Sequence, residues 1–289
     1  MRTRLRAVAG NGPALEMPAG YQRLGRVLLL RLPKRLGPYF GTIGRAWQAE
    51  LGVSTVLAVV GPVAGEYRVP QVERIAGTET ETEVVEHEIR WRFDAARLMF
   101  AAGNRTERRR AGTLVRPGET VVDLFAGIGY FAIPAARAGR AERVFAVEKN
   151  PVALEYLRTN VALNEVVDRV AIVPGDNRWV SLPDHEADRV FLGYLPSSIP
   201  WIPRAIRLLR PAGGWIHIHT TVEARGARPK AIAHAERALA RSGARLLEPL
   251  FAREVKPYGP GRTHVVVDAH AAPAAAVEGP AFPQRAEES

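Results

Sequence analysis

The sequence predicts an α/β protein: a Rossmann-like parallel sheet preceded by a small α/β domain. Three observations carry this reading. The first is the run Val121-Val122-Asp123-Leu124-Phe125-Ala126-Gly127-Ile128-Gly129-Tyr130-Phe131. It reads as a buried strand followed by a glycine turn that lets the backbone approach a ligand closely. The second is Glu148, an acid at the end of the next apolar run, placed to accept hydrogen bonds from ribose hydroxyls. The third is the alternation of strand-like and helix-like segments from Thr120 to about Asp268, which implies a parallel sheet covered by helices.

Taken in order, residues 1–75 form the small α/β domain, with strands at 27–32 and 54–60 and a short helix at 43–51 between them. A strand at 88–93 enters an Ala/Arg-rich helix near 95–110. After the glycine turn and the Glu148 strand, Asn150 as N-cap and Pro151 in the first turn start a helix whose Leu154, Leu157 and Val161 share one face. A third strand, 170–173, leads to Gly175-Asp176-Asn177, a polar pair where adenine would lie. A fourth strand precedes Leu192. Residues 253–256 and 264–268 flank Pro257-Tyr258-Gly259-Pro260-Gly261 as a terminal antiparallel pair. The large domain spans 76–270, and the Ala/Pro/Glu-rich residues 271–289 read as a disordered tail.

Composition excludes several classes. The 289 residues are 47% hydrophobic, enough for a full core, yet no run approaches the roughly 20 apolar residues of a membrane span. Met1-Arg2-Thr3-Arg4-Leu5-Arg6 has the charge of a signal-peptide start, but no sustained apolar segment follows, so the expected compartment is the cytoplasm. The absence of cysteine excludes disulfides, thiolate metal sites and a cysteine nucleophile. Forty Lys and Arg against 30 Asp and Glu give a net charge of +10, which favours an anionic partner such as RNA; a solvated arginine-rich surface gives the same sum. Arg23, Arg26, Arg31, Lys34 and Arg35 cluster early, and Arg105, Arg108, Arg109 and Arg110 lie just before the glycine turn, two clusters suited to lining one entrance.

The pattern Gly127-Ile128-Gly129-Tyr130-Phe131-Ala132 alone fits NAD enzymes and ordinary strand-to-helix turns as well. Asp123 before the glycines, Glu148, and the Asp176–Asn177 pair arrive in the order of a nucleoside-bearing cofactor site, and S-adenosylmethionine enzymes often have an acid at the position of Asp123. The alternation Ile216-His217-Ile218-His219 puts both histidines on one strand face. With no third ligand at a convincing spacing, no metal is expected, and His264 reads as structural.

Several spaced segments resemble one family, the archaeal and eukaryotic tRNA enzymes that modify the guanosine-derived base beside the anticodon. The segments are Gly65-Glu66-Tyr67-Arg68-Val69-Pro70, the stretch from Phe93-Asp94 through Met99-Phe100-Ala101-Ala102-Gly103-Asn104-Arg105-Thr106-Glu107-Arg108, the glycine turn, Gly175-Asp176-Asn177-Arg178, and Val255-Lys256-Pro257-Tyr258-Gly259-Pro260. The resemblance implies a class I methyltransferase fold, S-adenosyl-L-methionine as group donor and tRNA as partner. The family has two branches, N1-methyltransferases and wybutosine-pathway aminocarboxypropyltransferases. Leu192-Gly193-Tyr194-Leu195-Pro196-Ser197-Ser198 has Gly193 where the methyltransferases carry Asn, and looks like the Gly-x-x-Pro-Ser-Ser of the aminocarboxypropyltransferases; a purely structural turn uses the same residues.

By resemblance, Arg108 holds the cofactor's carboxylate, since an arginine fork suits that group. Glu148 holds the ribose, Asp176 and Asn177 the adenine end, and Asp123, Gly127 and Gly129 complete the cradle. The family commonly has Ser where Ala101 lies, so one cofactor hydrogen bond is missing here. Arg68 and Glu107 match positions that stabilise negative charge on the base and accept its proton in the methyltransferase relatives; a salt bridge or a helix-surface acid is the alternative for each. The functional reading is an aminocarboxypropyl transferase acting on the wyosine precursor in tRNA. A tRNA guanine N1-methyltransferase and a basic RNA-binding protein with a vestigial cofactor fold remain as alternatives.

Overall fold

The computed structural model describes residues 20–274, so the first six residues and most of the expected tail lie outside the described residues. The chain forms two compact units. Among the described residues, one comprises 20–119 with Asp123–Val180, and the other comprises Thr120–Val122 with 181–274.

The first unit begins with a four-stranded sheet in the order β1-β2-β3-β4, built from β1 (Tyr21–Leu24), β2 (Val27–Arg31), β3 (Thr55–Val59) and β4 (Val72–Ala76). Strands β2 and β3 are parallel and are joined by helix α1 (Phe40–Leu51); the pairs β1–β2 and β3–β4 are antiparallel. Alternation in β2 sends Leu28 and Leu30 to the face where α1 lays Phe40, Ile43 and Trp47, and Val56, Ala58 and Ile75 close the core. Each large apolar side chain buried there contributes about 1.5–3 kcal/mol.

Next comes the hairpin of β5 (Glu81–Glu86) and β6 (Ile89–Asp94). Its two turn residues, His87 and Glu88, both have positive φ, 52° and 66°, the backbone that matches strand twist but which non-glycine residues adopt at a cost of about 1–2 kcal/mol each. The helix expected near 95–110 is shifted: residues 95–101 are not helical, and α2 runs Arg105–Leu114 after a 3-10 turn at Ala102–Asn104. Local contacts explain the shift. Asp94 Oδ1 accepts from Ala96 N at 2.8 Å, turning the chain, and Phe100 stacks on Phe93 with ring centroids 4.9 Å apart while its carbonyl accepts from Gln22 Nε2 at 2.7 Å.

Strand β7 (Thr120–Asp123) is followed by α3 (Ala132–Arg137), β8 (Arg143–Glu148), α4 (Pro151–Leu163) and β9 (Val170–Pro174), with β8 and β9 parallel. Asn150 caps α4 as the sequence implies, its Oδ1 accepting from Val152 N at 3.0 Å, and Leu154, Leu157 and Val161 are buried. Helix α4 also performs a task that the sequence did not announce. Asn160 and Asn164, one turn apart, each bond both backbone groups of a β6 residue. Asn160 takes Arg92 N (2.7 Å) and gives to Arg92 O (3.1 Å); Asn164 takes Arg90 N (2.9 Å) and gives to Arg90 O (2.8 Å). Two side-chain amides thus satisfy a strand edge and fix the hairpin to the helix.

In the second unit the strands run in the order β12-β14-β11-β10-β7, from β10 (Arg189–Leu192), β11 (Gly214–Glu223), β12 (Ala244–Leu246) and β14 (Arg262–Pro273). Strand β13 (Phe251–Gly259) also pairs with β14, the antiparallel pair expected near the end of the chain. Strands β10 and β11 are parallel, and α5 (Ile202–Leu208) and α6 (Ala227–Arg241) complete the alternation. Strand β14 extends to Pro273, so residues 271–273 are strand rather than tail. Three strands meet in a buried polar chain: Arg189 Nη1 lies 2.8 Å from His217 Nε2, and His217 Nδ1 lies 2.6 Å from Asp268 Oδ1. Because arginine only donates, Nε2 accepts and the imidazole proton sits on Nδ1, toward Asp268. His219 bonds His264 at 3.0 Å, so both histidines of the alternating strand are engaged by protein groups.

Candidate active site

The glycine turn is held shut by the acid that follows β8. Gly127 N donates to Glu148 Oε2 at 2.7 Å, while Glu148 Oε1 accepts from Lys149 N (2.9 Å) and Asn150 N (2.8 Å). Three of about four acceptor positions of the carboxylate are therefore filled by backbone, leaving one, on Oε2. Burial raises the Glu148 pKa, and the three amide bonds oppose the shift. Gly127 and Gly129 have φ of 57° and 104°, and a Cβ would stand 2.8 Å from the Tyr130 ring at the first and 2.5 Å from Ile133 Cδ1 at the second. Neither position admits a side chain without displacement of a neighbour.

Asp123, fully buried, ends β7 beside this turn. Its Oδ1 accepts from Phe125 N at 3.1 Å, and its Oδ2 has no hydrogen-bond partner among the described residues. The backbone amides of Ala132 and Phe131 also favour the charged form, less than that of Phe125. Burial dominates and pushes the pKa up to about 7, with the nearby Glu148 charge adding to it. A buried acceptor without a donor, set beside the glycine turn, is a group that a ligand donor can satisfy. The raised pKa also has a consequence for stability. The folded state holds this proton while an unfolded aspartate loses it near pH 4, so the contribution is fully present below that pH and is lost as pH rises to about 7, on the order of 4 kcal/mol at most. Denaturant unfolding at pH 5 and pH 8 should show the decline, and Asp123→Asn should flatten it; an unchanged slope in that variant would contradict the assignment.

Past β9, Asp176 is committed to cations. Arg178 donates through Nε (2.9 Å) and Nη2 (2.5 Å), and Lys149 Nζ lies 3.4 Å away, so hydrogen bonding to Arg178 holds the Asp176 carboxyl well below its ordinary range. Lys149 also pairs with Glu66, tying the turn that carries Arg68 to this rim. Asn177 is buried, and its Nδ2 donates to Leu124 O at 2.6 Å.

Tyr130 sits at the centre of the arrangement. Its hydroxyl donates to Met99 O at 2.6 Å, its ring centroid is 5.9 Å from the Arg108 guanidinium carbon, and both Arg108 and Glu148 are close enough to act on its pKa, which burial raises. Arg108 is buried rather than part of a surface cluster: Nε and Nη2 donate to Glu86 Oε2 at 2.9 and 2.7 Å, Nη1 donates to Ala101 O at 3.0 Å, and Phe100 covers the guanidinium at 4.3 Å. Arg105 and Arg109 remain exposed, and Arg110 pairs with Glu107 at 3.5 Å. The expectation of four arginines at one entrance is corrected accordingly, because α2 turns Arg108 inward. Glu86 had no signal in the sequence.

Arg68 has φ of 54°, its amide closes the turn onto Gly65 O at 3.1 Å, and its Nη2 lies 4.0 Å from Met99 Sδ. Glu107, in the first turn of α2, is 3% exposed, which removes the helix-surface alternative and keeps the ion-pair one. In the second unit, Pro196 and Ser198 bond the backbone of β11: Ser198 Oγ gives to His219 O (2.9 Å) and takes His219 N (3.1 Å), and Thr221 N gives to Pro196 O (2.8 Å).

Residues 82–247 match the family model described as the TRM5/TYW2 methyltransferase domain, and residues 1–80 match the TYW2 N-terminal domain. The chain belongs to the TRM5/TYW2 methyltransferase family. Within the family it is similar to the protein of Pyrococcus horikoshii named tRNA(Phe) (4-demethylwyosine(37)-C(7)) aminocarboxypropyltransferase, 37% identical over 253 residues that cover 87% of this chain and 89% of that one. Among solved structures, P. horikoshii TYW2 in complex with MeSAdo superposes with a TM-score of 0.81 at 32% identity, over 94% of this chain and 99% of the other. Methanocaldococcus jannaschii TYW2 in complex with AdoMet follows with 0.69 at 32%, over 88% and 100%. The Rossmann-like class I methyltransferase fold read from the sequence is the fold of these TRM5/TYW2 structures. Among the described residues no helix is long and apolar enough to cross a membrane.

Proposed function

We propose that this chain transfers the 3-amino-3-carboxypropyl group of S-adenosyl-L-methionine to a wyosine-precursor base next to the anticodon of tRNA, in the cytoplasm. The observation that carries the reading is Arg108, a buried guanidinium beside the glycine turn, in a chain that matches a named aminocarboxypropyltransferase over most of its length. Arginine has five N–H donors and Arg108 uses three, so two remain for a carboxylate.

The residues present fit the cofactor. Asp123 Oδ2 is a buried acceptor without a donor among the described residues, and Glu148 keeps one acceptor position for a ribose hydroxyl. When bound, S-adenosyl-L-methionine supplies carbons activated by a sulfonium, and which one reaches the base is a matter of positioning. Arg108 orients the arm, Asp176 and Asn177 border the adenine end, and Ala101 contributes only its carbonyl, already given to Arg108. On the base side, Arg68 stabilises developing negative charge and Glu107 accepts the proton. Residues 76–270 hold this machinery apart from Arg68, and the small domain of residues 1–75, which supplies Arg68 and the early basic cluster, contributes to the contact with tRNA.

The test is mass spectrometry of tRNA nucleosides after reaction with carboxyl-labelled or methyl-labelled cofactor. Retained carboxyl label with methylthioadenosine as by-product is expected. Methyl label in the RNA with S-adenosylhomocysteine as by-product would instead establish the N1-methyltransferase reading.

A further inference from the structure

We infer that Glu86 is a positioning residue for Arg108, setting the direction in which the arginine presents its two remaining N–H groups. The inference rests on the reading of Arg108 as the arm's anchor. A lone arginine side chain samples many rotamers, and holding one of them costs entropy. Here the guanidinium is fixed from three sides: one edge on Glu86 Oε2, one nitrogen on Ala101 O, and one face on Phe100. Only Glu86 contributes two bonds, and it alone carries charge opposite to the arginine's. Its own place is secured by construction. It ends β5 at the positive-φ turn His87–Glu88, and the hairpin is bolted to α4 by Asn160 and Asn164.

A cavity of about 440 Å³ borders both Glu86 and Arg108, with Trp91, Arg109 and Pro134 among its walls. Removing the Glu86 carboxylate therefore widens an existing space rather than opening a sealed void, and leaves the arginine room to swing away from the glycine turn. Both arginine bonds go to the same oxygen, Oε2. A glutamine, with one amide oxygen, can accept both, so Glu86→Gln keeps the two-bond geometry while removing the charge.

The experiment compares equilibrium binding of S-adenosylhomocysteine and methylthioadenosine by calorimetry; both are thioethers of adenosine and they differ in the amino-carboxypropyl arm. The wild-type protein is expected to prefer S-adenosylhomocysteine at least about tenfold. Glu86→Ala should erase most of that preference while leaving methylthioadenosine affinity within about threefold, and Glu86→Gln should keep it. In turnover, Glu86→Ala should lower the rate of arm transfer to tRNA, read as methylthioadenosine released together with arm-modified nucleoside. Wild-type preference in a Glu86→Ala protein, with Arg108→Ala having lost it, would overturn the role of Glu86 alone. Unchanged preference in Arg108→Ala would instead overturn the anchor reading. If Glu86→Ala fails to fold, Glu86→Asp decides: it keeps the charge but shortens the reach by one methylene, and full preference in that variant would sink the proposal.

Discussion

Arg108→Ala is expected to lower aminocarboxypropyl transfer, as kcat/KM, by at least about 100-fold. Hydrogen bonds to charged groups contribute about 1.5–3 kcal/mol each, and the anchor loses a pair of them at the point where the arm's direction is set. Affinity for the adenosine end should change little, because Glu148, Asp176 and Asn177 are untouched; methylthioadenosine binding checks this. Stability should fall as well. The Arg108–Glu86 pair is nearly dry, with side-chain exposures of 4% and 10%, and removing one partner of such a pair typically costs about 3–5 kcal/mol. The neighbouring cavity admits water to the stranded carboxylate and places the expected loss at the lower end. Arg108→Lys should restore neither property fully, since an ammonium cannot reach Glu86, the Ala101 carbonyl and a substrate carboxylate from one plane. Wild-type kcat/KM in Arg108→Ala would remove the residue from the site.

Glu148→Ala is expected to weaken cofactor binding well beyond the loss of a single hydrogen bond. Loss of a ribose acceptor alone is worth about 1.5–3 kcal/mol. The same carboxylate also receives the amides of Gly127, Lys149 and Asn150, so its removal leaves three donors at the mouth of the site and frees the glycine turn from the end of β8. A drop in cofactor affinity of more than about 100-fold, together with a lower unfolding midpoint, is the expected result. Glu148→Gln should be intermediate, because one amide oxygen replaces two carboxylate oxygens and the new NH₂ faces a backbone donor. Unchanged calorimetric affinity in a folded Glu148→Ala protein would contradict the ribose role and the loop role together.

What the sequence made legible was local. Asn150 and Pro151 mark the start of α4 because capping is settled within three residues, and β7, the glycine turn and β8 follow from an apolar run, two glycines and an acid in succession. The misplaced helix start had a local cause of another kind: alanines and arginines at 95–110 favour a helix by propensity, but Asp94 turns the chain and Phe100 is drawn onto Phe93, contacts that outweigh it. Strands β1, β4 and β5 escaped notice because they are short and charged, with Arg23, Glu73 and Glu83 interrupting the alternation. Glu86 and Arg108 are 22 residues apart and on different elements, as are Asn160 and Arg92 at 68. No periodicity reports such a pair, and only the folded chain brings its members together.

The buried chain Arg189–His217–Asp268 bears on how the second unit finds its pairing at all. Strands β11 and β14 match over ten residue pairs, and around the contact β14 reads Val265, Val266, Val267, Asp268, Ala269, with alanines beyond. Apolar residues of similar size discriminate poorly between alignments. A slip of one residue, however, would turn Asp268 or His217 to the opposite face and leave a charge without its counterpart in the interior. Such a misaligned sheet would carry a penalty of several kcal/mol that the native alignment avoids. The polar chain thus acts as a register key, making one alignment of an otherwise repetitive strand distinct from its neighbours.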